Sequence, residues 1–328
     1  MKRWSTREIA RLAGVSPATV SRVLNRQGNV RPELAERVRR VMASLEQAGK
    51  PAGGPRRIGI AFPRRLAGYE MVGGAFYGQV LSGIDKVMRE AGHEVSLCPY
   101  DPGHAVDELL PETVARYDGL VMLGADTPKP LAQAIAKEGL PLVVVDKHVH
   151  GVDSIISDNT GGAETVTRHV LSRGYRNLAY LCETLEDASF AARAQGFRRA
   201  VEAAGDAGLR TRVCEVGRGW LRAQEVLDQL IAENSFPLAI VAGNDPTALH
   251  LLALARAKGI AVPGQLGLAG FDDVALAEMA DPPLTTVRVD KVEMGRLAGR
   301  RLLERLAAPD LPPVTVMMHV FLVVRAST

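Results

Sequence analysis

The sequence predicts an all-α head of three short helices followed by a larger α/β body with parallel sheets. Residues 1–47 hold three amphipathic stretches punctuated by Gly14, Ser16, Pro17 and Pro32. After residue 57, apolar runs of strand length alternate with helical stretches. Charge divides at the same place: residues 1–57 carry 13 Lys and Arg against 4 Asp and Glu, and the other 271 carry 27 against 33. A chain of net charge +3 is therefore a basic head on a mildly acidic body. That asymmetry fits a polyanion-binding head, although a solvated cationic face has the same composition.

The first helix is read in "STREIARLAG", with Ser5 and Glu8 spaced as a capping box and Gly14 at the left-handed stop. Ser16 then caps a second helix, "SPATVSRVLN", with Pro17 at its first position, where a missing N–H costs nothing. The third begins at Pro32 and presents Leu34, Val38, Val41, Met42 and Leu45 at helical spacing. Ile9, Leu12, Val15, Val20, Val23 and Leu24 supply the matching apolar surface, so the three helices close a small core.

Two helices joined by a tight Gly-containing turn form a helix-turn-helix, whose second helix enters the DNA major groove. With Val20, Val23 and Leu24 inward, Pro17, Ala18, Ser21, Arg22 and Asn25 face outward. Arg22 suits a bidentate pair with guanine and Ala18 a thymine methyl, while Ser16, Thr19, Ser21 and Asn25 suit phosphates. A helical hairpin docking on another protein is the alternative that geometry leaves open.

Composition is that of a folded protein: 328 residues, 47% hydrophobic and 5% aromatic, long enough for more than one domain. Apolar runs such as 140–145 and 320–324 are too short to span a bilayer, and no signal-peptide stretch follows the N-terminal charges, so a cytoplasmic protein without membrane attachment is expected. Cys98, Cys182 and Cys214 lie singly in strand-like runs and read as core thiols.

The body's strands are read at 58–62, 94–98, 120–123, 142–145, 178–182, 238–241 and 266–269. Near-continuous apolar strands separated by helices predict parallel sheets covered on both faces, with ligands at the carboxyl ends. Asp146, Asn244, Asp245 and Asp272 fall at such ends. Asp245, just before Pro246, reads as a helix cap; Asn244 and Asp272 read as pointing into a cleft.

"STREIARLAGVSPATVSRVLN" resembles the DNA-binding head of the lactose-repressor (LacI) family of bacterial transcription regulators. "DGLVMLGAD", "LPLVVVDKH", "SIISDNTGGAETVTRHVLSRGYRNLAYL", "RAQGFRRAVEAAG", "AIVAGND", "LGLAGFDDVALAEMADPPLTTVRVD" and "VVRAST" resemble that family's effector-binding core in order and spacing. The resemblance implies a two-lobed, periplasmic-binding-protein-like core with three crossings, at "SIISDN", "PPLTTVRVD" and within "TVMMHVFLVV". The expected organisation is a DNA-binding domain at 1–47, a Gly/Pro-rich linker at 48–57 and a core at 58–328. Its first lobe spans about 58–156 and 287–316, its second about 157–286 and 317–328. DNA contacts are expected from Thr6, Ser16, Pro17, Ala18, Thr19, Ser21, Arg22, Asn25 and Arg31. Carried across by position, Phe76, Tyr77, Asp158, Arg193, Asn244 and Asp272 are the effector-binding candidates, a set suited to a polyol-like, carbohydrate ligand. Trp220 lies near the position of a ligand-covering aromatic, with core packing as the alternative.

Three features depart from the family pattern. The linker "LEQAGKPAGGPRRIGI" is short, and its Pro and Gly residues oppose the family's hinge helix, so a flexible tether without a leucine wedge is expected. Arg64 and Arg65 stand in a long loop after the first strand, which leaves the ligand's charge open. The ending "VVRAST" carries no leucine-heptad tail, so a homodimer is expected.

The function implied is a regulator, expected to be a repressor, that binds a palindromic double-stranded operator as a dimer under control of a small effector. A solute-binding receptor of the same core fold is the alternative, disfavoured by the basic head. No dinucleotide fingerprint, phosphate loop, nucleophile elbow or metal pattern is present, so no enzyme activity, cofactor or metal is expected. His148 and His150, two apart in "DKHVHG", read as loop residues.

Overall fold

Ser16 begins the head's second helix by the chemistry its type allows: in the computed structural model its Oγ accepts from the Thr19 amide at 3.1 Å. The structure describes residues 6–24, 30–31, 33–39, 41, 54–64, 76–101, 110, 113–124, 127–233 and 236–328. They divide into two compact units, Met1–Pro55 and Arg56–Thr328.

In the first unit α1 (Thr6–Ala13) and α2 (Pro17–Leu24) are joined through Gly14. Gly14 has φ +61°, a left-handed backbone conformation that calls for glycine. Residues 33–39 form a third helical stretch. Ile9, Ala10, Ala13, Val20 and Val38 make the core, with Val15, Val23 and Val41 packed against it. The expectations for Ser5, Asn25, Pro32, Met42, Leu45 and 48–53, and for the side chains of Glu8, Leu12 and Leu24, lie outside the described residues, as do those for Arg65.

The second unit has two parallel sheets. β1 (Arg57–Pro63), β2 (Glu94–Tyr100), β3 (Gly119–Leu123), β4 (Leu142–Val145), β5 (Asp153–Ser157) and β11 (Thr315–Met318) form the first, in the order β11-β5-β4-β3-β1-β2. β6 (Asn177–Cys182), β7 (Arg210–Glu215), β8 (Leu238–Ala242) and β9 (Leu266–Ala269) form the second, in the order β7-β6-β8-β9. β3, β4, β8 and β9 are buried along their whole length, which is why they read as unbroken apolar runs rather than alternating ones. β10 (Thr286–Arg288) pairs antiparallel with β12 (Phe321–Val323), and the bridges Ala269–Thr285 and Asp272–Arg288 carry β10 alongside the end of β9.

Two lobes result, each a sheet with helices. α3 (Phe76–Glu90), α4 (Lys129–Lys137) and α10 (Lys291–Ala307) belong to the first. α5 (Asn159–Ser172), α6 (Ala188–Ala204), α7 (Ala223–Glu233), α8 (Asp245–Ala257) and α9 (Ala275–Met279) belong to the second. The chain crosses between β5 and α5, between β10 and α10, and between β11 and β12. α3 and α10 pack backbone to backbone through glycine: a Cβ on Gly83 would lie 2.1 Å from the Val292 carbonyl oxygen.

Cys182 is buried, and burial pushes its thiol up to about 12, as a core thiol requires. Cys98 and Cys214 are only half-buried, because they sit on β2 and β7, the edge strands of the two sheets. Among the described residues no helix is long and apolar enough to cross a membrane.

Candidate functional site

The head's outward face is α2 and its flanks. Thr6, Ser16, Pro17, Ala18, Ser21, Arg22 and Arg31 are exposed, while Val20 is fully buried and fixes the helix's rotation. Thr19 is half-buried, and its hydroxyl lies 2.9 Å from the Ser16 hydroxyl, so this pair closes the start of the helix. Ala18, Ser21 and Arg22 then occupy one exposed flank at the i, i+3, i+4 spacing of neighbouring residues on a helix.

In the body, strand carboxyl ends from both sheets bring a polar network together. Arg193, on the first turns of α6, is 4% exposed. Its Nε donates to Asn159 Oδ1 at 2.8 Å, Nη1 to the Gly243 carbonyl at 2.6 Å and Nη2 to Asp272 Oδ1 at 3.3 Å. Its guanidinium lies 3.8 Å from the Phe271 ring centroid, so a planar cation is stacked as well as hydrogen-bonded. Burial pushes the Asp272 carboxyl up, against the opposing pull of Arg193 and Lys291. Asp272 has φ +113°, a backbone conformation that surrounding contacts must hold.

Across from this stands Asp146, directly after β4 in the first lobe, with φ +67°. Tyr77 donates its hydroxyl to Asp146 Oδ2 at 2.7 Å, and Ser189 of α6 donates to Oδ1 at 3.4 Å. The Ser189 bond joins the two lobes. Burial raises the Asp146 carboxyl to about 7, helped by Asp187 and Asp272 and opposed by Arg193 and the Tyr77 hydroxyl. Phe76 meets Tyr77 edge-on at 5.0 Å between centroids, so both aromatics named from the sequence stand at the head of α3 beside this acid.

The cap at α8 is the reverse of the one expected. Asn244, not Asp245, is the N-cap: its Oδ1 accepts from the Thr247 amide at 2.9 Å. Asp245 is fully buried, accepts from the Val274 amide at 2.8 Å and from the Thr286 hydroxyl, and is pushed up to about 8 by burial and by neighbouring Asp272. Asp158 likewise caps α5, accepting from Gly161 at 2.8 Å, at the first crossing. Trp220 is packed against the second lobe's core; its Nε1 donates to Thr247 at 3.2 Å and its ring stacks on His250 at 5.1 Å. That contact places it beside the capped start of α8. His148 Nδ1 lies 3.0 Å from the Thr315 hydroxyl, and among the described residues no group of His, Cys, Asp and Glu is placed to hold a metal ion. Arg64 pairs with Asp101 at 3.2 Å on the surface.

Sequence reasoning missed Ser189 and Lys291. Nothing local marks Ser189. Lys291 had a signal: a lysine in the first turn of a helix opposes the helix dipole and needs acceptors elsewhere.

Comparison with known proteins matches residues 5–47 to the model described as bacterial regulatory proteins, lacI family, and residues 167–328 to a periplasmic binding protein-like domain. The HTH-type transcriptional regulator DegA of Bacillus subtilis (strain 168) is 30% identical over 332 residues, covering 95% of this chain and 96% of its own. The chain belongs to the LacI family of bacterial regulatory proteins. Within the family, the HTH-type transcriptional repressor PurR of Vibrio atlanticus (strain LGP32) is 28% identical, covering 98% and 97% of the two chains. Among solved structures, the transcriptional regulator CelR–cellobiose complex superposes with a TM-score of 0.72 at 26% identity, covering 99% of this chain and all of that one. This LacI-family protein is a DNA-binding transcriptional regulator with an effector-binding core, and these relatives are regulators rather than enzymes.

Proposed function

We propose that the chain is a repressor that binds a two-fold symmetric operator as a homodimer, with its affinity set by a carbohydrate-like effector held between the lobes. The observation that carries this reading is the meeting of Arg193 of α6 and Tyr77 of α3 with Asp272 and Asp146, which follow strands of the two sheets. Paired carboxylates, a guanidinium fork and aromatic faces bind vicinal hydroxyls, and CelR is a relative solved with cellobiose. Phe76, Asp158, Asn244 and Trp220 complete the proposed pocket.

On the head, Arg22 reads a base while Ala18 and Ser21 lie beside it; Thr6, Ser16, Pro17, Thr19 and Arg31 set register on the backbone. One small head buries too little surface for firm binding, so two heads on half-sites answer the need. The effector favours one lobe arrangement and by linkage changes DNA affinity. The ligand is bound and released unchanged, without catalysis, and the protein acts in the cytoplasm where its operator lies.

The test is selection of full-length protein on random duplexes, followed by a thermal-shift screen of sugars, sugar acids, sugar phosphates and nucleobases. A palindromic consensus and a stabilising carbohydrate are expected. Arg22→Ala is expected to weaken consensus binding by roughly 5- to 150-fold, the worth of one bidentate base contact, and nonspecific binding far less. Equal losses on both would overturn the base-reading role.

A further inference from the structure

Lys291 stands where a cation is electrostatically misplaced. It opens α10 behind the N-cap Asp290, at the positive end of the helix, and is 4% exposed. Burial pushes its ammonium down, opposed by Asp272, Asp245 and Asp273, with Arg288 the neighbouring cation. Such a group persists only if its three protons are satisfied. They are: Nζ donates to the carbonyl oxygens of Asp272, of Asp273 at 3.1 Å and of Val289 at 3.2 Å.

Two of these acceptors belong to the other lobe. Asp272 and Asp273 follow β9 and both have positive φ, +113° and +52°, although neither is glycine. Their amides bond to the Val287 carbonyl at 2.8 Å and the Thr286 hydroxyl at 3.3 Å. The Asp273 carboxylate is gripped by Arg288 at 2.7 Å and Arg325 at 2.6 Å. The amides and the Asp273 side chain are thus held from within the second lobe. The carbonyls of this turn receive the bonds from Lys291, and Asp272 is the residue whose carboxylate meets Arg193.

We propose that Lys291 is a positioning residue for the effector cleft, pinning the Asp272–Asp273 turn in its left-handed conformation so that Asp272 faces Arg193, and tying that turn to α10 of the first lobe. It touches no ligand and acts through Asp272. The inference rests on reading this cleft as the effector site, but its test follows backbone protection and so can fail independently of whether any ligand binds.

The experiment is amide hydrogen exchange on the full chain, comparing wild type with Lys291→Met, which keeps the side chain's length and removes its donors. Amides of residues 271–275 are expected to exchange faster by about tenfold or more, because the turn loses two hydrogen bonds from a charged donor, while β8 amides keep wild-type protection. The Arg193 guanidinium protons, followed by nitrogen NMR, are expected to exchange faster in step. A purely structural role would speed exchange throughout the lobe, β8 included. That uniform result, or unchanged exchange at 271–275, would overturn the proposal. If Lys291→Met does not fold, Lys291→Gln, which keeps a donor, carries the same comparison with a smaller acceleration expected at the same amides.

Discussion

Asp146 makes the cleft's dependence on pH calculable. In the unfolded chain its carboxyl titrates near the ordinary aspartate value of about 3.9, whereas in the folded protein burial raises it to about 7. Between these values the folded protein holds a proton that the unfolded chain has lost, so stability falls as pH rises. The slope is about 1.36 kcal/mol per pH unit and flattens as pH approaches the folded value, which gives roughly 2 kcal/mol between pH 5 and pH 7. Asp146→Asn removes this titration while leaving an oxygen to accept from Tyr77 and an amide nitrogen to donate to Ser189. The variant is expected to gain roughly 3 kcal/mol relative to wild type on going from pH 5 to pH 8. Asp245, also raised, tilts both proteins in the same sense and drops out of the difference. Urea unfolding followed by circular dichroism at the two pH values measures it. A variant whose deficit is the same at both pH values, or larger at pH 8, would mean that Asp146 is ionised and stabilised by Arg193, and the reasoning would be refuted.

Three further outcomes follow from the geometry. Gly83→Ala gains about 1 kcal/mol of helix propensity but drives a Cβ to 2.1 Å from the Val292 carbonyl oxygen; the clash between backbones wins, and a net loss of roughly 1–3 kcal/mol is expected in thermal unfolding. Arg193→Ala strands Asp272, Asn159 and the Gly243 carbonyl without their donor and is expected to cost roughly 3–5 kcal/mol in urea unfolding, with Arg193→Lys restoring only part because one ammonium cannot replace the fork. Ser16→Ala removes the side-chain acceptor of the Thr19 amide, which keeps its 2.9 Å bond to the Ser16 carbonyl, and is expected to cost α2 about 1 kcal/mol in thermal unfolding; an unchanged midpoint would mean that the cap contributes nothing.

Much of the architecture was legible because single residues carry the local geometry. Gly14, Ser16 and Pro17 mark the turn and the start of α2 by backbone freedom, side-chain acceptor and missing donor, needing no tertiary information. The buried strands announced themselves as unbroken apolar runs. β7 did not, because it is an edge strand with four exposed residues in "RTRVCE". The Asn244–Asp245 assignment failed for a related reason. Both are capping residues, and Pro246 favours Asp245 by local rules, but the Val274 amide and the Thr286 hydroxyl draw the Asp245 carboxylate into the core and leave the cap to its neighbour. Local propensity cannot see a demand that arises 29 to 41 residues downstream.

The same distinction governs how this family member couples its lobes. The three crossings are covalent and permit movement; what resists it are the contacts that bridge the lobes besides them. Ser189 to Asp146 is buried between the lobes and is long at 3.4 Å, which makes it the weaker of the two bridges. Lys291 to the Asp272–Asp273 carbonyls lies at the second crossing, where the ammonium is buried and its donors are fully used. On the effector reading proposed above, a ligand entering between them would exchange the weak bridge and leave the strong one as pivot. α10 springs from that pivot and packs against α3 through Gly83, so the two helices of the first lobe move as one body, since two backbones in contact cannot take up motion by side-chain rearrangement. A coupling of the usual 1–3 kcal/mol requires no more than a difference in one such bridge between the two lobe arrangements.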